Sequence, residues 1–212
     1  MSQKRFTGAR TVLLGASGVG KTAFAVRYIT KRFIGDYDRD KEMVYTRQLP
    51  TPRDEITLDI LDTGARLTSE TIEKHTKWGD GYILIYSLTD RASLIYLSEV
   101  KDIITKVKGR DCPLTLVGNK SDLISAREVN DEESCDFGQK FDCPKFEISV
   151  AETSQGVLEV MDEIMCQIKR DFVNNLNTSN QLAIADNKPR SKLYSMKKAF
   201  KKRINRSHSD TY

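Results

Sequence analysis

Long apolar runs are missing from this chain. No stretch approaches the roughly 18 consecutive apolar residues of a membrane-spanning helix. The opening residues, Met1-Ser2-Gln3-Lys4-Arg5-Phe6-Thr7-Gly8, hold no apolar leader core, and position 2 is Ser, so neither secretion nor N-myristoylation is expected. Cysteine is sparse: Cys112, Cys135, Cys143 and Cys166 form no C-x-x-C pair, and the only histidines, His75 and His208, lie far from them. A metal cluster and a disulfide framework are therefore not expected, and reduced thiols in a cytosolic or nuclear compartment are the simple reading. The last residues, Ser209-Asp210-Thr211-Tyr212, carry no C-a-a-X cysteine, so no prenyl anchor is expected. At 39% the apolar share is below the usual range, and at 30% the charged share is a little above it. A chain of 212 residues with this balance reads as one domain with a polar appendage.

Charge is unevenly spread. Nine Lys or Arg and no acid lie between Lys188 and Arg206, so without them the net charge of +4 becomes −5. Basicity is a property of the tail and not of the body.

What is present is organised around Gly15-Ala16-Ser17-Gly18-Val19-Gly20-Lys21-Thr22, of the form G-x-x-x-x-G-K-[ST]. A strand-length apolar run, Thr11-Val12-Leu13-Leu14, precedes it, and Ala23-Phe24-Ala25-Val26-Arg27-Tyr28-Ile29 follows as a helix free of Gly and Pro. That context is what a phosphate-binding loop needs. Glycines allow successive N–H groups to curl round an anion, and the helix start adds free N–H groups and its positive dipole end. Lys21 can reach the β/γ-phosphates, and the Thr22 hydroxyl can ligate Mg²⁺.

Residues 1–8 read as a loose arm, 10–14 as a strand, 20–30 as a helix and 31–41 as a charged loop. Val44–Leu49 and Ile56–Leu61 alternate about a Pro-rich turn, which predicts an antiparallel hairpin. A polar surface helix is expected over 67–77. Tyr82–Tyr86 and Leu114–Val117 are continuous apolar runs, the mark of strands buried on both faces. Helices are expected over 91–107 and 130–141, a short strand over 145–148, and a final helix carrying Val157, Val160, Met161, Ile164, Ile168 and Phe172 on one face. Strands alternating with helices predict an α/β fold: a six-stranded, mostly parallel sheet with one antiparallel edge strand and helices on both faces. Ligands of such sheets bind beyond the carboxyl ends of the strands. The phosphate loop, Asp62, Asn119-Lys120-Ser121-Asp122 and Ser149-Val150-Ala151 all fall there. In N-K-x-D, the Asp carboxylate can accept from N1 and N2 of guanine; adenine offers no such donor pair and would leave the carboxylate unpaired.

Together, the phosphate loop, the D-T-x-G-like turn at Asp62, N-K-x-D and the S-x-A-like turn resemble a Ras-superfamily small GTPase over roughly residues 9–172. The run Thr30–Tyr37, Tyr45-Thr46-Arg47-Gln48 and Glu147-Ile148-Ser149-Val150 are similar to the divergent Ras-like branch that includes the estrogen-regulated growth inhibitor and Ras-like protein family 11. The resemblance implies a P-loop NTPase of the Ras-like G-domain type over 9–172 and a flexible linker and basic tail over 173–212. It implies guanine nucleotide (GTP or GDP) and Mg²⁺ as cofactors, effector and regulator proteins as partners, and a monomer. Gly15 and Ser17 belong to the phosphate loop, and backbone N–H groups from Gly18, Val19, Gly20, Lys21, Thr22 and Ala23 would hold the phosphates. Lys21 is the catalytic candidate. Thr22 and Asp62 would be the metal residues, Asp62 acting through water. Phe33 would pack on the guanine ring, Asn119 would tie the base loop to the phosphate loop, and the Lys120 stem would cover the base. Asp122 would read N1 and N2, Ser149 would buttress it, and Val150 N–H, beside Ala151, would reach O6.

Three departures fall at the γ-phosphate end. Asp40 stands where the family has its switch I Thr, Ser17 where Ras has Gly, and Asp62-Thr63-Gly64-Ala65-Arg66 where the family has D-T-A-G-Q. Either Gly64 and Ala65 have exchanged roles or one residue is lost; both alignments lack the water-positioning Gln. Hydrolysis is expected to be slow, because water orientation and charge stabilisation carry this chemistry. Arg66 acting as a finger in cis is weighed against a solvated surface Arg, which is the preferred reading. Asp40 is expected to weaken any Mg²⁺-dependent preference for GTP.

Asn174–Gln181 reads as a linker. Leu193, Met196, Phe200 and Ile204 recur at helical steps among the basic residues, an amphipathic pattern. Its open readings are a solvated extension, nuclear or nucleolar import, attachment to an anionic membrane, and capture by a calmodulin-type groove. Trp78 is expected in the core and His75 solvated. Two function classes follow: a slow GTP/GDP switch, or a nucleotide-stabilised interaction module that acts through its tail.

Overall fold

Six strands form one sheet in the order β2-β3-β1-β4-β5-β6. They are β1 (Gly8–Leu14), β2 (Met43–Pro50), β3 (Glu55–Asp62), β4 (Gly81–Ser87), β5 (Leu114–Asn119) and β6 (Lys145–Ile148). Only β2 and β3 pair antiparallel; the other neighbours are parallel. The computed structural model describes residues 5–34, 41–51, 55–65 and 67–186, with side chains as far as Thr178. Asp40, Arg66 and the amphipathic pattern at 193–204 lie outside the described residues, as do 52–54 of the expected turn.

The apolar runs dictate this order. β4 is buried at all seven positions, as befits a central strand covered on both faces. Its alternate residues serve two cores. Ile83 and Ile85 join Phe24 of helix α1 (Lys21–Thr30) and Val160, Met161 and Ile164 of helix α5 (Gln155–Asp186). Tyr82, Leu84 and Tyr86 join Ile72 of α2 (Ser69–Trp78), Leu94, Leu97 and Val100 of α3 (Arg91–Lys108), and Phe141 of α4 (Asp131–Phe141). The sheet is thereby covered on both faces. Phe24 is fully buried, and its truncation to Ala would cost about 3–5 kcal/mol.

Helix starts differ in a way that bears on function. Thr68, Asp90 and Asn130 cap α2, α3 and α4 through side-chain oxygens that accept backbone N–H groups. The N-cap of α1 is Gly20, with no side-chain cap and no acid in the first turn. The start of α1 is left bare where an anion can complete it.

Three expectations are corrected. The described part of the arm is docked: Phe6 stacks on Phe172 with centroids 5.4 Å apart, and Thr7 O accepts Thr57 N–H at 3.0 Å. The segment expected as a linker after Phe172 continues α5 to Asp186. It has no Gly or Pro, and extending an existing helix is far easier than nucleating one. His75 is buried at 3% exposure, because Glu42 reaches it from another segment. Trp78 packs half-buried beside the α2–α3 core, with the Arg10 guanidinium 5.5 Å from its ring centroid. The four cysteines are free.

Candidate functional site

Beyond the carboxyl ends of β1, β3, β5 and β6 lies a cavity of about 350 Å³. It is lined by Ser17, Gly18, Gly20, Lys21, Thr22 and Ala23 from the loop after β1 and the start of α1. Phe33, Asn119, Lys120, Asp122, Val150 and Ala151 line its other part, and Thr63, Ala65 and Leu123 complete it. Four separate strands therefore deliver their following loops to one place. Gly15 and Val19 lie behind the lining. Gly15 has φ +156°, and a Cβ there would fall on the Ile85 carbonyl oxygen, so β4 approaches too closely for any other residue. Val19 is buried in the core.

Lys21 folds back on the loop. Its Nζ donates to Gly15 O at 2.9 Å and Ala16 O at 3.0 Å. Burial lowers its pKa to about 8, against the raising effect of Asp62 nearby. Asp62, 1% exposed, is pushed up to about 6 by burial, partly opposed by a hydrogen bond from Thr22 and by the Lys21 charge. Its Oδ1 is buried without a partner. An ammonium and a carboxylate, both disfavoured in their charged forms, sit at the bare start of a helix. A phosphate would restore a counter-charge to the first, and a hydrated divalent cation to the second. The donor set, a Thr hydroxyl beside an orphaned carboxylate oxygen, fits Mg²⁺ chemistry. Next to Asp62, Thr63 Oγ1 donates to Leu13 O at 2.7 Å, fixing the turn to β1.

The other end is closed by Asn119, 4% exposed. Its Nδ2 donates to Val19 O at 2.8 Å, and its Oδ1 accepts Val150 N–H at 3.1 Å. One amide thus joins the phosphate loop to the loop after β6. A Cβ on Gly20, at φ +105°, would collide with that amide, so the position requires Gly for both backbone and space. Lys120 also has positive φ, +69°, which turns the chain toward Asp122 at the cavity wall. Phe33 stands at the rim, 44% exposed.

Ser149 Oγ accepts Glu152 N–H at 3.2 Å, which shapes the turn after β6. Glu152 O in turn accepts from Arg27 Nη2 of α1 at 3.0 Å. Sequence reasoning missed Arg27 because its partner is a backbone carbonyl, which no motif marks. Thr63, Ala65 and Leu123 were missed for a related reason: each flanks a motif and contributes surface rather than a distinctive group.

The Ras family model matches residues 10–170. The chain is 34% identical over 162 residues to the Ras-related and estrogen-regulated growth inhibitor of Bos taurus, covering 76% of this chain and 81% of that protein. To GTP-binding protein Rit1 of Mus musculus it is 39% identical over 144 residues, 67% of this chain and 66% of that one. To Ras-like protein family member 11A of Homo sapiens it is 30% identical over 205 residues, 92% and 84% of the two chains.

Proposed function

The chain belongs to the Ras family, and from that premise we propose that it binds GTP and GDP with Mg²⁺ and hydrolyses GTP slowly. The observation that carries the nucleotide reading is Asn119, which bridges Val19 of the phosphate loop and Val150 of the base loop across one wall of the cavity. Lys21 would leave its two carbonyls for the β/γ-phosphates, and the uncapped start of α1 would donate N–H groups to them. Thr22 and Asp62 would hold Mg²⁺, which when bound neutralises charge on the phosphates. Asp122 would accept from guanine N1 and N2, and Phe33 would cover the ring. Slow hydrolysis is supported by the sequence at Asp62–Arg66, which offers no Gln to orient water.

The test is to identify the nucleotide in purified protein, load it with GTP and Mg²⁺, and follow a single turnover for hours. Ordinary intrinsic Ras hydrolysis runs at about 3–5 × 10⁻⁴ s⁻¹, and a rate roughly tenfold or more below that is expected. A Ras-like rate would refute the slow-hydrolysis part. No uptake of guanine nucleotide would refute the whole. GTP that persists while still exchanging would favour a nucleotide-stabilised interaction module.

A further inference from the structure

His75 is an odd residue to bury. It lies on α2, whose sequence Ser69–Trp78 is otherwise rich in charge, yet it is 3% exposed. Its Nε2 lies 2.8 Å from Glu42 Oε2, and its Nδ1 is buried with no partner. The contact requires the proton on Nε2, so Glu42 supplies the acceptor that this ring nitrogen has inside the protein. Removing the carboxylate would leave a second orphan in a site that already holds one.

The place of the contact gives it meaning. Glu42 immediately precedes β2, and the next residue, Met43, is in register with Asp62 on β3. α2 follows the turn at Thr63–Ala65 that lines the phosphate end of the cavity. The contact therefore joins the two segments on either side of Asp62. The helix end of the tie is itself anchored: Tyr82 Oη of β4 donates to Thr76 O at 2.6 Å and to Gly79 O at 2.9 Å. Lys108 Nζ also donates to Gly79 O, at 2.8 Å. Glu42 is thus fastened, through one imidazole, to a helix fixed on the central sheet. In GTPases at large, the corresponding segments are ordered by contacts to the γ-phosphate and Mg²⁺ and released on hydrolysis.

We propose that His75 is a positioning residue: by holding Glu42 it fastens the head of β2 to α2 whichever nucleotide is bound. The head of β2 then has nearly the same structure in the GDP and GTP forms, and the γ-phosphate has little left to order there. This rests on the guanine-nucleotide reading above, and it makes the chain's surface at residues 41–50 a standing feature rather than a switched one.

Hydrogen exchange on the full-length protein tests it, with GDP or a non-hydrolysable GTP analogue bound, for wild type, His75→Phe, His75→Gln and Glu42→Ala. In wild type, residues 41–50 should exchange within about twofold of the same rate in both forms. His75→Phe should speed exchange there by roughly tenfold or more in the GDP form, the scale of a lost hydrogen bond to a charged group, while β5 is unchanged. His75→Gln keeps a donor at the Nε2 position and should recover most of the protection, a rescue that mere filling of space would not give. A tenfold difference between the two wild-type forms over 41–50 would overturn the proposal, as would an unchanged rate in His75→Phe. If His75→Phe loses β5 protection as well, Glu42→Ala, altered at a half-exposed side chain, carries the same comparison. If the chain takes up no guanine nucleotide, the functional reading fails, and wild type against Glu42→Ala without ligand still decides whether the tie holds β2.

Discussion

At the base end of the cavity, Asn119 reaches both Val19 and Val150, and Arg27 reaches Glu152, through hydrogen bonds of 2.8, 3.1 and 3.0 Å. At the phosphate end, Lys21 turns back on its own loop, Asp62 keeps a buried oxygen without a partner, and α1 begins uncapped. The first region is satisfied by the protein itself. The second is satisfied only when something charged arrives. Under the proposed function, preassembly at the base end would confer selectivity, because a base of the wrong pattern would meet polar groups that cannot relax toward it. Unsatisfied charge at the phosphate end would confer affinity, because a bound phosphate would relieve a cost the fold already carries. Of the departures from the Ras pattern, Ser17 and Ala65 line the cavity in the second region. Under the proposed function, holding and cutting would be separable properties of this site.

The largest effect should come from removing the charge that awaits the phosphates. Lys21→Ala is expected to weaken GDP binding on the order of 10³-fold, the scale of losing one partner of a buried charged pair. Titration calorimetry measures it. A loss below tenfold would mean that the phosphate end contributes little, and the contrast between the ends would collapse. Asn119→Ala should come next, with GDP release faster by at least roughly 30-fold. Two buried partners, Val19 O and Val150 N–H, would each be orphaned at about 1–3 kcal/mol. A change of less than threefold in stopped-flow release would show that the base end is not held by this amide.

How far these regions were legible in the sequence follows the same division. β4 could be read directly, since Tyr82–Tyr86 is apolar at every position and only a strand covered on both faces accommodates that. The parallel pairing followed from alternation with helices, and the edge hairpin from alternating apolar positions about a Pro-rich turn. The residues lining the cavity were legible where a motif fixes type and spacing together, as at Gly18–Thr22 and Asn119–Asp122. Long-range pairings without a motif were not. Nothing in a charged helix marks His75 for burial, since its partner Glu42 sits in a different segment. Phe6 looked like part of a loose arm because its partner, Phe172, is at the far end of the domain. The helix beyond Phe172 was read as linker because Asn, Ser and Thr are weak helix formers, yet continuation asks little of each residue once α5 exists.

Arg66→Gln tests the separation of holding from cutting. It restores a Gln at one aligned position for orienting water, in a segment where Thr63 already fixes the turn to Leu13 O. Single-turnover hydrolysis should rise by about tenfold, a modest share of what positioned groups contribute in this chemistry. GDP affinity should stay within about twofold, because the base end is untouched. If affinity falls as hydrolysis rises, the two properties are coupled and the division between the ends is too sharp.

The smallest effect probes whether the base end holds by one tie or two. Arg27 sits on the same helix whose start faces the phosphates, and it donates to Glu152 O within the turn that follows Val150. That turn has a second internal bond, Glu152 N–H to Ser149 Oγ, so it moves as a unit when either end is released. One net hydrogen bond contributes about 0.5–1.5 kcal/mol, so Arg27→Ala should speed GDP release by roughly 2- to 10-fold. Arg27→Lys, which keeps a donor at the end of a long stem, should recover part of that. In the Asn119→Ala background the increment should exceed that in wild type if the two residues hold one loop together, because neighbouring ties are not additive. Equal increments in both backgrounds would show that Asn119 alone closes the base end, and that Arg27 only decorates α1.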